Sequence, residues 1–169
     1  MKNARALQIT TPTEREILIT RAFDAPRRLV FDAYTRPELL KRWLFGPDGW
    51  SLAVCEIDLR VGGTYRYVWR RERDGTDMGM GGVYREIVVP ERLVATERFD
   101  ESWYPGEAVG TIVLVEEGGR TTLTQTMLYE SREARDTALK SGMDEGLGAG
   151  YDRLAGILAS LQTGGDARD

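Results

Sequence analysis

The sequence contains no histidine and only one cysteine, Cys55. Without histidine, the chain cannot build a Ser-His-Asp or Cys-His catalytic set, a histidine-ligated zinc or non-haem iron site, or the usual general base of neutral pH. A single cysteine likewise excludes an internal disulfide and a thiolate metal site. We therefore expect a protein that needs no metal and no cofactor.

The sequence also lacks a large excess of either charge, and it has no long apolar run. The 23 basic and 27 acidic residues are intermixed and give a net charge of −4, so no broad basic surface for nucleic acid is expected. No apolar run approaches the roughly 18–20 residues of a membrane span, and the N-terminus lacks the apolar segment of a signal peptide. Together with the lone cysteine, these features predict a cytoplasmic protein with neither a nucleic-acid partner nor membrane insertion.

The last regular element, residues 141–162, is predicted to be a long amphipathic helix. Gly142, Gly146 and Gly150 stand four apart in its first half, where each glycine costs a helix roughly 1 kcal/mol relative to alanine. This row without side chains predicts a helix that packs tightly in its second half and leaves space in its first half. Its apolar residues recur at steps of three and four: Met143, Leu147, Tyr151, Leu154, Leu158 and Leu161.

The chain before this helix predicts an antiparallel sheet. Residues 14–24 have the alternation of a first strand, and Pro26 and Pro37 each open a short helix. Residues 50–130 follow as six strands in succession, joined by turn residues such as Asp74-Gly75. A sheet with one apolar face needs a cover, and the C-terminal helix is the only element large enough.

The predicted fold is therefore α+β, with a curved antiparallel sheet of six to seven strands wrapped around the long C-terminal helix. Two short helices follow the first strand. Residues 14–162 are expected to form a single domain, because 169 residues suit one core. Residues 1–13 and 163–169 are expected to be flexible termini.

Several blocks of the sequence resemble a known bacterial family. They are RAFDAPRRLVFDAYTRPELLKRWLFGPDGW (residues 21–50), EIDLRVGGTYRY (56–67), GGVYREIVVPERLVATERF (81–99) and SREARDTALKSGMDEGLGAGYDRLAGIL (131–158). These blocks resemble homologues of the C-terminal domain of the activator of the ninety-kilodalton heat-shock protein ATPase, within the START-like (SRPBCC, birch-allergen-type) superfamily. The resemblance implies the helix-grip fold, in which a cavity lies between the long helix and the concave sheet. It implies no single activity, because members bind lipids, hormones or polyketides and a minority are cyclases or aromatases.

The chain departs from the family pattern at two positions that bear on such a cavity. Relatives often carry an aromatic residue where this chain has Glu97, and Gly-Trp where it has Gly146-Leu147. If both positions face the cavity, the loss of two bulky aromatic side chains would enlarge it or make it more polar.

A ligand site is predicted beneath the glycine-rich half of the long helix. Tyr65, Tyr67 and Trp69 alternate with arginines along one strand, and such a stripe suits an aromatic pocket wall and plain core equally well. Glu97 and Gln125 are the predicted polar contacts, and no residue is assigned a catalytic role. The full set of predicted ligand-binding residues is Trp43, Tyr65, Tyr67, Trp69, Glu97, Gln125, Met127, Met143, Leu147 and Tyr151.

Glu97 has two interpretations at this stage. On an inward face among apolar neighbours, its pKa would be raised and it could act as an acid, a base or a hydrogen-bond acceptor. At a sheet edge, it would instead pair in solvent with Arg98, Arg85 or Arg66. The rarity of buried glutamate favours the second interpretation.

Two functions from different classes remain. The first is a binding protein for an apolar or aromatic small molecule that is lipid- or polyketide-like, and the lack of a recognisable catalytic set favours it. The second is a cofactor-independent cyclase or aromatase that moves protons with Glu97 and tyrosine hydroxyls. A co-chaperone-related stress function is a weaker third alternative, and the sequence leaves a homodimer open.

Overall fold

The protein is described by a computed structural model that covers residues 7–101 and 104–166. Its strands are β1 (Gln8–Thr10), β2 (Glu16–Phe23), β3 (Trp50–Ile57), β4 (Thr64–Arg71), β5 (Asp77–Val88), β6 (Arg92–Phe99), β7 (Ala108–Glu117) and β8 (Arg120–Leu128). Its helices are α1 (Arg27–Thr35), α2 (Pro37–Leu40), α3 (Arg132–Leu139) and α4 (Met143–Asp166).

All eight strands form one antiparallel sheet in the order β1-β2-β8-β7-β6-β5-β4-β3. Each strand from β4 to β8 pairs with its predecessor in the chain, while β2 pairs with β8 and so brings the two ends of the domain together. The two short helices lie between β2 and β3, and α4 follows the sheet. This architecture confirms the predicted helix-grip α+β fold.

The sheet has one strand more than the six to seven predicted, because β1 lies in the segment expected to be a flexible terminus. Gln8, Ile9 and Thr10 pair with Thr20, Ile19 and Leu18 on the outer edge of β2. Three residues are too few to show alternation in the sequence, but pairing satisfies edge amide and carbonyl groups that β2 would otherwise present to solvent. For residues 8–10, the flexible-terminus prediction was therefore wrong.

The second half of α4 anchors the helix to the sheet. Tyr151 and Leu154 are completely buried and Leu158 is 2% exposed, so this face forms part of the core. The guanidinium of Arg21 on β2 donates to Asp152 on the adjacent helical face, with an Nη1–Oδ1 distance of 2.9 Å. Tight packing of this half confirms what the apolar spacing predicted.

The glycines of α4 do not form the predicted open row. Gly142 precedes the helix with a φ of +84°, a left-handed conformation that favours glycine. Gly146 is exposed, with open space where a Cβ would stand, whereas a Cβ on Gly150 would lie 3.5 Å from the carbonyl oxygen of Trp43. A Cβ at Gly150 would therefore make only ordinary van der Waals contact, and the three glycines do not produce the space beneath the helix.

The helix also continues to Asp166 and does not stop at Gln162. Glycine lowers the stability of a helix but does not forbid its conformation, so Gly164 and Gly165 do not end it. Residues 163–166 therefore continue the helical backbone in the segment for which a flexible terminus was predicted.

Neither a metal cluster nor a membrane-spanning helix is present in residues 7–101 and 104–166. No group of three or more cysteine, aspartate and glutamate side chains is placed to hold a metal ion in that part of the chain. None of the helices described there is long and apolar enough to cross a membrane.

Candidate functional site

A cavity of about 320 Å³ lies between the first half of α4 and the concave face of the sheet. Its wall is aromatic and aliphatic, with few polar atoms. The lining residues are Ile19, Tyr34, Trp43, Leu44, Tyr65, Tyr67, Trp69, Met80, Tyr84, Leu93, Ala95, Glu97, Phe99, Tyr104, Gly110, Ile112, Gln125, Met127, Tyr129, Met143 and Leu147. This set includes nine of the ten residues proposed from the sequence as ligand-binding.

The space comes from short side chains on the floor of the sheet. Ala95 on β6 pairs with Gly110 on β7, and Gly110 pairs in turn with Met127 on β8. All three residues line the cavity. A Cβ on Gly110 would lie 3.1 Å from the sulfur of Met127, so even a methyl group there would begin to fill the space.

One wall of the cavity is the aromatic stripe of β4. The ring centroids of Tyr65 and Tyr67 are 5.0 Å apart, and those of Tyr67 and Trp69 are 5.9 Å apart. The Tyr65 hydroxyl donates to the carbonyl oxygen of Thr96 at 2.6 Å, and the Trp69 indole donates to that of Leu44 at 2.9 Å. These bonds hold the rings in place, so the stripe is at once packed core and cavity wall.

Trp43, Met143 and Leu147 cover the cavity from the helical side. Trp43 is 1% exposed, and its indole nitrogen donates to the carbonyl oxygen of Ala33 at 3.0 Å. Met143 and Leu147 lie on the first half of α4 and are partly exposed.

Tyr151 does not line the cavity but packs against residues that do. Its ring stacks on Trp43 with a centroid distance of 5.8 Å, and its hydroxyl donates to Oε1 of Gln125 at 3.1 Å. Since that donation uses the Tyr151 proton, the Tyr34 hydroxyl must be the donor across the 2.5 Å contact between the two hydroxyls. Tyr151 is thus absent from the cavity lining and its hydroxyl is used within the protein, and its role as a ligand contact stays a prediction.

Glu97 is the one charged residue among the described lining residues. Its Oε2 accepts a hydrogen bond from the Tyr104 hydroxyl at 3.1 Å. Burial disfavours its ionised form and raises its pKa to about 7, although the bond from Tyr104 acts in the opposite direction. The carboxyl group therefore changes charge near neutral pH inside an aromatic cavity.

The interpretation of Glu97 as a solvent-exposed edge residue was wrong. Leu93, Ala95, Glu97 and Phe99 alternate along β6 and all line the cavity. Of the arginines considered as partners, Arg66 pairs with Asp100 at 2.6 Å and Arg85 with Glu107 at 3.6 Å. The alternation from Leu93 was the signal that could have placed Glu97 on the inward face.

Four tyrosines at the site were missing from the predicted set. Tyr84 continues the alternation of Met80 and Gly82, and Tyr129 continues that of Gln125 and Met127, so strand periodicity could have identified both. Tyr34 lies on α1 and reaches the cavity from the helical side. Tyr104 lies in the loop between β6 and β7, and an irregular loop offers no periodic signal.

The raised pKa of Glu97 makes stability depend on pH. The unfolded side chain titrates near pH 4.3, and the folded one near 7. The stabilising contribution of the protonated carboxyl is thus complete below about pH 4.3 and is lost as pH rises through 7, by on the order of 2–3 kcal/mol. We expect wild type to lose this much unfolding free energy relative to Glu97→Gln between pH 5 and pH 8 in urea titrations. Parallel pH profiles for the two proteins would contradict the placement of Glu97.

A family model and solved structures match the chain. The model described as "Activator of Hsp90 ATPase homolog 1-like protein" matches residues 24–159 of 169. A crystal structure from Rhodobacter sphaeroides is 31% identical, with 92% of this chain and 99% of that chain covered and a TM-score of 0.87. A protein from Nitrosomonas europaea is 26% identical, with 90% and 99% covered and a TM-score of 0.78. No curated protein matches the sequence.

A more distant structure bears on the co-chaperone alternative. An HSP90 activator from Plasmodium falciparum is 20% identical, with 78% of this chain and 89% of that chain covered and a TM-score of 0.58. At that identity the likeness shows a shared fold alone.

Proposed function

The chain belongs to the family of activator of Hsp90 ATPase homolog 1-like proteins, which have the START-like fold, and from this premise we propose that it binds a small apolar or aromatic molecule beneath α4. The observation that carries the proposal is the cavity of about 320 Å³, with its aromatic wall and its floor of short side chains. Ligand pockets in proteins typically enclose about 300–1,000 Å³ and are lined mainly by apolar and aromatic groups with a few polar ones. The volume suits a molecule of two or three fused rings.

The polar groups of the cavity lie at its two ends. Glu97 is four residues from Leu93 on β6, and Leu93 is level with Ile112 and Gln125 across the sheet. At about 3.3 Å per residue, the carboxyl end and the Gln125 end are separated by roughly 13 Å along the strands. A flat body would lie between them over Ala95, with a polar group of the ligand at the Glu97 end.

A direct test is calorimetric titration with 2-naphthalenemethanol, a flat two-ring probe with one hydroxyl group. We expect one molecule to bind per chain. At a probe concentration a hundred times the Kd, the native state should be stabilised by about 2.7 kcal/mol, which appears as a higher Tm. Absence of both binding heat and a Tm shift up to the solubility limit of the probe would contradict the proposal.

A second candidate, a cofactor-independent cyclase or aromatase, is supported by one observation. Glu97 faces the cavity with a pKa of about 7 and accepts a hydrogen bond from Tyr104. A group with that pKa is suited to take and return a proton at neutral pH. Incubation with a linear poly-β-ketone separates the two functions, because an enzyme returns a cyclised product that the Glu97→Gln variant does not form, whereas a binding protein returns the substrate unchanged.

A further inference from the structure

The described wall of the cavity contains an acidic group but no basic one. In the part of its wall that the structure describes there is one carboxyl group, Glu97, and no arginine or lysine. The neighbouring arginines are engaged outside it, as Arg66 is with Asp100 at 2.6 Å and Arg70 with Asp77 at 2.8 Å. A ligand carboxylate or phosphate would find no cation here and would face a carboxyl group instead, so the cavity disfavours anionic molecules.

The Glu97 carboxyl group also has unused capacity for hydrogen bonds. Oε2 accepts from Tyr104, while Oε1 accepts from none of the described residues. An ionised carboxylate can accept about four hydrogen bonds, and leaving them unmade in a dry site is costly. A donor supplied by the ligand would complete the coordination of this group.

The rings beside Glu97 favour a cationic donor over a neutral one. Burial, and after it the charge of Glu97, raises the pKa values of Tyr65, Tyr104 and Tyr129, so the three hydroxyls lie within electrostatic range of the carboxylate. The Tyr104 ring contacts Tyr129 at a centroid distance of 5.2 Å and Phe99 at 6.1 Å. Aromatic faces attract ammonium groups, and the attraction grows when water is excluded.

We propose that the ligand is a flat apolar amine, whose ammonium group binds Glu97 among these rings while its apolar body lies over Ala95 and Gly110. This inference deepens the proposed function and rests on it. It names the ligand class by its charge: protonated amines bind well, neutral molecules of the same shape bind less well, and carboxylates are rejected.

Near neutral pH, Glu97 is the group around the site whose charge changes. Burial raises the pKa of every tyrosine that faces it, so these hydroxyls stay neutral. From α4 the site is covered by Met143 and Leu147, which do not titrate, and Glu107, which lies close to Tyr65, is paired with Arg85 at 3.6 Å. The tyrosines are Tyr65 and Tyr67 on β4, Tyr84 on β5, Tyr104 after β6 and Tyr129 after β8.

The test uses three naphthalene probes that differ in one substituent: 2-(aminomethyl)naphthalene, 2-naphthalenemethanol and 2-naphthoic acid. Each is titrated calorimetrically into the wild-type chain at pH 6, 7 and 8. An aliphatic amine stays protonated throughout this range, while the ionised fraction of Glu97 rises from about a tenth to about nine-tenths. We expect the affinity for the amine to rise about tenfold from pH 6 to pH 8, the affinity for the alcohol to stay within about threefold, and the acid to bind weakest.

The matched variant is Glu97→Gln, which keeps the size of the side chain and can still accept the hydrogen bond from Tyr104. At pH 8 it should bind the amine at least tenfold more weakly than wild type, with no remaining pH dependence, so that the preference for the amine over the alcohol is lost. The order of the probes and the pH dependence in wild type test the proposal even if the variant does not fold. Binding of the alcohol as tight as that of the amine at pH 8 overturns this inference alone, whereas binding of none of the probes overturns the proposed function as well.

Discussion

Leu154→Asp is expected to unfold the protein. Leu154 is completely buried in the second half of α4, where the helix packs on the sheet. The substitution removes a buried apolar side chain, which costs about 2–5 kcal/mol, and places a carboxyl group where no partner awaits it, which costs several more. That sum is comparable to the total stability of about 5–15 kcal/mol that a domain of this size has.

Circular dichroism during thermal unfolding measures this effect. The matched control is Ala149→Asp, which introduces the same side chain on the exposed face of the same helix and should cost less than about 1 kcal/mol. A soluble Leu154→Asp variant with the wild-type Tm would show that this face of α4 is not core and would contradict the described packing.

Ala95→Leu is expected to weaken probe binding about ten- to a hundredfold without unfolding the protein. Position 95 lies on the cavity floor beside Gly110, so the three added carbon atoms extend into space that the ligand needs. Excess volume in a packed site costs about 1–3 kcal/mol, which corresponds to a Kd for 2-naphthalenemethanol about ten to a hundred times higher. The free protein should be at least as stable as wild type, because the leucine fills an apolar void.

The control for this variant is Gly146→Leu. Gly146 is exposed, and a Cβ there meets no atom within 4 Å, so this variant should bind the probe as wild type does. The opposite pattern, with binding lost in Gly146→Leu and kept in Ala95→Leu, would show that the helix glycines make the space after all. Calorimetric titration of wild type, Ala95→Leu and Gly146→Leu under the same conditions distinguishes these two origins of the cavity space.

The fold was predictable because local patterns and global architecture agree. The alternation of Tyr65, Tyr67 and Trp69 identified the strand that is β4 in the structure, and Pro26 and Pro37 stand at the starts of α1 and α2. The lapses fall at the ends of the domain. There, β1 forms because it pairs with β2, and α4 continues because glycines weaken a helix without ending it. Neither effect can be predicted from a short segment of sequence.

The sequence predicted many of the residues that line the cavity, but it did not predict which residues create the cavity volume. Strand alternation and helical spacing identified nine of the 21 lining residues, including Met127 and Leu147. The volume was assigned to the helix glycines because glycine in a helix is conspicuous, whereas it arises where Ala95 and Gly110 meet across two strands. That coincidence depends on register, which the sequence alone does not determine at these positions. Base rates misplaced Glu97, because a glutamate on the inward face of a sheet is rare.

The most direct measurement of ligand binding in the cavity is a crystal structure of the protein with 6-bromo-2-naphthalenemethanol, recorded at the bromine absorption edge. The account predicts an anomalous peak beneath α4, over the floor formed by Ala95 and Gly110, with the hydroxyl group of the probe within hydrogen-bond distance of the Glu97 carboxyl group. An empty cavity at saturating probe, or bromine found only on the outer surface of the sheet, would contradict it.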